Sequence, residues 1–125
     1  MRALVIDDSS AMRRLIGRIL EDLGFEVSEA ENGAVGLTQV AQAPEPVDVA
    51  LVDWNMPVMN GFEFVKAVRA RPEHNRIKLM MVTTETGLEQ IEQALNAGAD
   101  EYVMKPFTRT ELISKLGLLG LRRSS

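Results

Sequence analysis

Apolar residues along this chain gather into four short unbroken runs, with amphipathic stretches between them. The runs are Ala3-Leu4-Val5-Ile6, Val47 with Val49-Ala50-Leu51-Val52, Leu79-Met80-Met81-Val82 and Tyr102-Val103-Met104. Runs this short and this uniformly apolar predict strands covered on both faces, since a half-exposed strand would alternate. A fifth strand is predicted from Phe25 to Ala30, which does alternate and carries the β-branched Val27.

The stretches between strands have helical spacing. Met12, Leu15, Ile16, Ile19, Leu20 and Leu23 fall on one helix face, predicted to pack on the sheet, and Gly24 supplies a C-terminal stop. A second helix is predicted from Gly33 to Ala43, ended by Pro44 and Pro46. Three later helix starts are marked by an acceptor side chain followed three residues on by Glu, the reciprocal capping box. These are Asn60 with Glu63, Thr86 with Glu89, and Thr108 with Glu111; Asn60 is an imperfect member, because the box favours Ser or Thr. Strand followed by helix, five times over, predicts an α/β fold: a doubly wound parallel sheet with helices on both faces, joined by right-handed crossovers. Residues 1–125 are expected to form a single domain.

Composition then removes function classes. The chain has no cysteine, which excludes disulfides, a thiolate nucleophile and zinc sites of the cysteine type. Its net charge of −4, from 14 Lys and Arg against 18 Asp and Glu, argues against a nucleic-acid partner. Arg122-Arg123 reads as a charged tail at a helix end. No apolar run approaches the roughly 18 residues needed to span a bilayer, and Met1-Arg2 leads straight into a strand with no secretory pattern. A cytoplasmic protein without membrane insertion is therefore expected. His74, the sole histidine, lies in a predicted loop beside Pro72, Glu73 and Asn75 and reads as solvated, so neither an internal phosphohistidine relay nor a histidine metal site is expected. Most of the seven methionines read as core filler, with Met56 and Met59 placed to shape a crevice near Asp53.

The candidate chemistry sits where strands end. Asp7 and Asp8 follow the first strand, Asp53 the third, Thr83 the fourth and Lys105 the fifth. Ligands of open parallel sheets bind outside the carboxyl ends of the strands, where the connections reverse direction, so these residues can meet in one crevice. Each alone has an ordinary explanation: a helix cap for Asp7 or Asp8, a turn acid before Met56-Pro57, a strand threonine, a solvated lysine. Their joint recurrence at strand ends is the signal. Three carboxylates brought together repel one another unless a cation joins them, and an all-oxygen set suits a hard ion such as Mg²⁺, which commonly takes one or two carboxylates together with phosphate oxygens. A lysine and a hydroxyl beside that ion suit a phosphoryl group. Carboxylates also act as phosphoryl acceptors, which singles out Asp53.

The stretches Val5-Ile6-Asp7-Asp8-Ser9, Asp53-Trp54-Asn55-Met56-Pro57, Met81-Val82-Thr83 and Tyr102-Val103-Met104-Lys105-Pro106-Phe107-Thr108 resemble receiver domains of two-component response regulators, most closely the stand-alone receivers of chemotaxis. The likeness runs along the whole chain with the motifs in order. It implies a flavodoxin-like sheet order 2-1-3-4-5 and a phosphorylation switch rather than an enzyme acting on a separate substrate. It further implies that Asp53 takes its phosphoryl group from a sensor histidine kinase or phosphotransfer protein. Asp8, Asp53 and the Asn55 carbonyl would hold Mg²⁺, with Asp7 helping through water. Lys105, in a cis peptide with Pro106, would pair with the carboxylate and phosphoryl oxygens. Thr83 and Tyr102 would form the switch, and a downstream protein would bind near Thr86, Tyr102 and Thr108. Two positions depart from the family: Thr84 replaces a small residue, bearing on access to the phosphoryl group, and Asn60 replaces an aspartate.

Two other classes share parts of this pattern. A phosphatase of the haloacid-dehalogenase type needs a second acid two residues after its nucleophile, where this chain has Asn55. A flavodoxin-like flavin carrier needs a phosphate-binding loop after the first strand, where Asp7 and Asp8 would repel the phosphate. A receiver that serves only as a scaffold is disfavoured because no catalytic position is lost.

Overall fold

In a computed structural model, which describes residues 1–121, five strands and five helices alternate without exception; the Arg122-Arg123 tail lies outside the described residues. The elements are β1 (Arg2–Ile6), α1 (Ser10–Asp22), β2 (Glu26–Ala30), α2 (Gly33–Gln42), β3 (Val49–Val52), α3 (Gly61–Arg69), β4 (Lys78–Thr83), α4 (Leu88–Ala97), β5 (Glu101–Met104) and α5 (Arg109–Leu118). All pairings are parallel and the sheet order is β2-β1-β3-β4-β5. The direction in which strands are added reverses between β1 and β3, which places the ligand crevice at their carboxyl ends.

Strand periodicity sorts the core into two halves. Leu4, Ile6, Ala50, Val52, Leu79 and Met81 face Val40 of α2, Phe64, Val65 and Val68 of α3 and Ala94 of α4. Their sequence neighbours Ala3, Val5, Val49, Leu51, Met80 and Val82 face Ile16, Ile19 and Leu20 of α1 and Leu112 and Leu116 of α5. Burying each aliphatic side chain of this size contributes about 2 kcal/mol, which is why the central strands carry polar residues only at their ends, Arg2, Lys78 and Thr83. The apolar face of α1 is narrower than its sequence pattern predicts. Leu15 is half exposed, because it lies a quarter turn from the stripe centred on Ile16, Ile19 and Leu20. After α1 the chain reverses through Gly24 at φ 94°, with the amides of Phe25 and Gly24 bonded to the carbonyls of Leu20 and Glu21.

Two of the three predicted capping boxes are complete. Asn60 accepts from the Glu63 amide at 2.8 Å while Glu63 accepts from the Asn60 amide at 3.0 Å, and Thr108 and Glu111 do the same at 3.0 and 3.3 Å. The third is absent: α4 starts at Leu88 behind Gly87, with no side-chain cap, so Thr86 does not initiate it. Likewise Ser9, and neither Asp7 nor Asp8, caps α1 by accepting from the Met12 amide. His74 lies in a single 3₁₀ turn, Pro72–His74, rather than in an open loop. Among the described residues no helix is long and apolar enough to cross a membrane.

Candidate functional site

Three strands, β1, β3 and β5, hand a polar residue to the crevice because the hydrogen-bonded ladder continues one residue past each of them. The amide of Asp7 bonds to the Ala30 carbonyl, that of Asp53 to the Ile6 carbonyl and that of Lys105 to the Thr83 carbonyl. The backbones of these residues are thus fixed by the sheet, while their side chains project beyond its edge. Gly61, the first residue of α3, closes over Asp53: its amide bonds to the Trp54 carbonyl at 2.9 Å, and it has no side chain to displace the Asp53 carbonyl.

The result is an acidic cluster with one cation in it. Asp7, Asp8 and Asp53 each present a carboxylate oxygen, and these three atoms lie within 4.8 Å of one another. The Lys105 ammonium donates to Asp7 Oδ2 at 2.7 Å and to Asp53 Oδ2 at 3.3 Å. Asp7 is almost wholly buried, Asp53 partly so, and Asp8 is exposed. Both Asp7 oxygens are engaged, Oδ1 by the Ser9 amide and Oδ2 by Lys105. The Trp54 amide binds Asp53 Oδ1 at 2.7 Å. Both Asp53 oxygens are engaged as well, Oδ2 only by the longer 3.3 Å contact with Lys105, so the exposed Asp8 is the carboxylate most open to an added cation, with Asp53 next. Behind the cluster Arg13 donates to the Asp7 carbonyl and pairs with Glu29.

This donor set fits a hard divalent ion. It is all oxygen, converges from two loops, and has an open side at Asp8, as Mg²⁺ requires if waters and phosphate oxygens are to complete its shell. The Lys105–Pro106 peptide is cis. His74 stands apart, lining a cleft of about 380 Å³ with Val40, Pro44, Val47 and Ile77 at the opposite end of the sheet.

Thr83 and Tyr102 meet at a residue that the sequence did not single out. Thr83 is wholly buried, and its hydroxyl accepts from the Glu85 amide at 3.3 Å. Tyr102 is turned inward, and its hydroxyl donates to the Glu85 carbonyl at 2.7 Å. The Glu85 carboxylate in turn accepts from the Asn55 side chain at 2.8 Å, bridging the loops after β3 and β4 above Asp53. Burial, with the Glu85 and Asp53 carboxylates adding to it, pushes the Tyr102 phenol up to about 12, so it remains a neutral donor at physiological pH. Glu85 has no sequence signature, because its role depends on contacts 17 and 30 residues away. Trp54 stacks on Phe62 with ring centroids 5.4 Å apart. Met56 and Met59 are partly buried against the core, and Thr84 is exposed beside Thr83.

Comparison with known proteins agrees with this geometry. Residues 3–117 match the model of the response regulator receiver domain. A chemotaxis protein CheY homolog of Campylobacter jejuni is 47% identical over 117 residues, covering 93% of this chain and 89% of that protein. Chemotaxis protein CheY1 of Helicobacter pylori is 46% identical, covering 93% and 94%. The structure of Vibrio cholerae CheY4 superposes with a TM-score of 0.87 at 37% identity, over 94% of this chain and 97% of that one. The chain belongs to the response regulator receiver family, whose CheY-like members are signalling regulators rather than metabolic enzymes.

Proposed function

We infer that residues 1–125 act as one phosphorylation-activated switch, in which Asp53 accepts a phosphoryl group from a histidine of a sensor kinase or phosphotransfer protein. The observation that carries this reading is the placement of Lys105 between Asp7 and Asp53, beside three carboxylate oxygens within 4.8 Å. In the transfer, an oxygen of Asp53 bonds to phosphorus as the donor's P–N bond breaks and its electrons return to the imidazole. Mg²⁺, held by Asp8, Asp53 and the Asn55 carbonyl with Asp7 acting through water, would supply charge neutralisation between the anionic partners. Lys105 pairs with the phosphoryl oxygens, and the Thr83 hydroxyl donates to one of them.

The same hydroxyl couples the site to the surface. Reorienting it toward the phosphoryl group removes the acceptor of the Glu85 amide, and Glu85 is the residue to which Tyr102 is tied. One such charge-assisted hydrogen bond is worth about 2 kcal/mol, enough to shift a population without locking it. The surface so altered runs from Thr86 and α4 through Tyr102 on β5 to Thr108 and α5. Exposed Leu88 and Met104 on α4 and β5 suit it to a protein partner. The named relatives are chemotaxis proteins, which favours a chemotaxis target over another phosphorelay. Such a switch works in the cytoplasm beside its kinase.

Chemical-shift mapping after treatment with acetyl phosphate and Mg²⁺ tests this coupling. Thr83→Ala should still be phosphorylated while losing most of the shift change around Tyr102. A full native-like change in that variant would break the link. Thr84 adds a second test, since its side chain restricts water approaching in line with the scissile bond. Thr84→Ala should speed loss of the phosphoryl group several-fold, and an unchanged decay rate would refute the steric role.

A further inference from the structure

Among the described residues Val58 is the one non-glycine with a positive φ, 70°. The Met59 amide bonds to the Pro57 carbonyl at 2.8 Å, so Val58 is the centre of a three-residue γ-turn of the positive-φ kind, the rare and strained one. A β-branched side chain there is a genuine outlier, because its branches crowd the backbone. Burial does not compensate, since Val58 is 82% exposed. What enforces the turn is its surroundings. The Met59 carbonyl accepts from the Gly33 amide at 3.0 Å, Asn60 is held in its capping box, and the Gly61 amide reaches back to the Trp54 carbonyl. The residue's preference and its setting therefore oppose each other within the loop that begins at Asp53 and Asn55.

We propose that Val58 is a positioning residue that holds down the Mg²⁺ affinity of the acidic site by destabilising the loop geometry in which Asp53 and Asn55 converge. The inference rests on the metal reading given above. The loop exchanges between the γ-turn and a relaxed form in which the bond from Met59 to Pro57 is open and Val58 returns to negative φ. A metal that takes the Asn55 carbonyl as ligand binds the γ-turn form, so the apparent dissociation constant rises in inverse proportion to that form's population. Asparagine and glycine tolerate positive φ, whereas isoleucine keeps the branch and the strain.

Titration of the full chain with MgCl₂, followed by fluorescence of Trp54, the single tryptophan, tests the proposal. Val58→Asn and Val58→Gly should bind Mg²⁺ about threefold or more tightly than the native chain, and Val58→Ile should match it. In Mg²⁺-free buffer the Met59 amide should exchange with solvent more slowly in Val58→Asn than in the native chain. Equal Mg²⁺ affinity in the native, Asn and Gly proteins would overturn the proposal even if both variants were more stable, because the strain would then never open the loop. A native chain with no saturable response to Mg²⁺ would overturn the metal reading itself and this inference with it.

Discussion

Replacing Gly61 by alanine should cost about 3 kcal/mol of folding stability, the largest effect expected from adding a single methyl group to this chain. A Cβ at that position would stand 2.1 Å from the Asp53 carbonyl oxygen and 2.9 Å from its carbon. Those atoms are backbone, fixed in turn by the Asp53 amide's bond to Ile6, so they cannot yield as a side-chain tip would. Relief requires either α3 to withdraw from the end of β3, which opens the core around Phe64, or Asp53 to move. In the second case Asp53 leaves its place, and Mg²⁺ affinity should then fall together with stability. Urea unfolding monitored at Trp54 gives the first quantity and a metal titration the second. A variant within about 0.5 kcal/mol of native would show that the close approach is not rigid.

Lys105→Met should have a comparable effect with a distinctive dependence on metal. Lys105 and Asp7 have side chains only 11% and 3% exposed. Removing the ammonium therefore leaves a buried carboxylate without its charge partner, a loss of about 3 kcal/mol in metal-free buffer. Asp8 and Asp53 make this worse by adding two more negative charges to the cluster. A divalent cation relieves the same repulsion, so Mg²⁺ should restore much of the lost stability and should bind the variant more tightly than the native chain. Unfolding curves in chelator and in saturating Mg²⁺ measure both. Equal stability of variant and native chain in chelator, or weaker Mg²⁺ binding by the variant, would contradict the charge balance drawn for the site.

The residues that were legible in the sequence are those whose position follows from a strand's end. Asp7, Asp8, Asp53 and Lys105 follow the ends of buried parallel strands, and sheet geometry brings their side chains together, while Thr83 closes β4 and stays buried. Strand existence was legible for the same reason, although β4 and β5 extend slightly beyond their apolar runs to Lys78, Thr83 and Glu101. The sheet order came from the family resemblance, not from the residues themselves. The loop after β4 departs from its sequence pattern. Thr86 and Glu89 have capping-box spacing, yet Glu85 is committed to Tyr102 and Asn55, and the helix begins only at Leu88. A local cap contributes about 1 kcal/mol, too little to prevail over tertiary contacts that fix the segment before it. Leu15 shows the converse limit, since helical spacing marks an apolar face but not how wide a stripe the sheet will cover. Val58 carries no sequence signal of its turn, because nothing about valine announces a positive φ that neighbouring contacts impose.

In the function proposed above, Asp53 carries the phosphoryl group and needs a divalent cation to receive it. The most direct measurement is mass spectrometry of the chain after exposure to acetyl phosphate, with the modified residue located by peptide mapping. With Mg²⁺, the native chain should gain one phosphoryl group, mapping to the peptide that holds Asp53. Chelator should prevent it, and Asp53→Asn should remain unmodified. A phosphoryl group on Asp7 or Asp8, or equal modification of Asp53→Asn, would contradict the account.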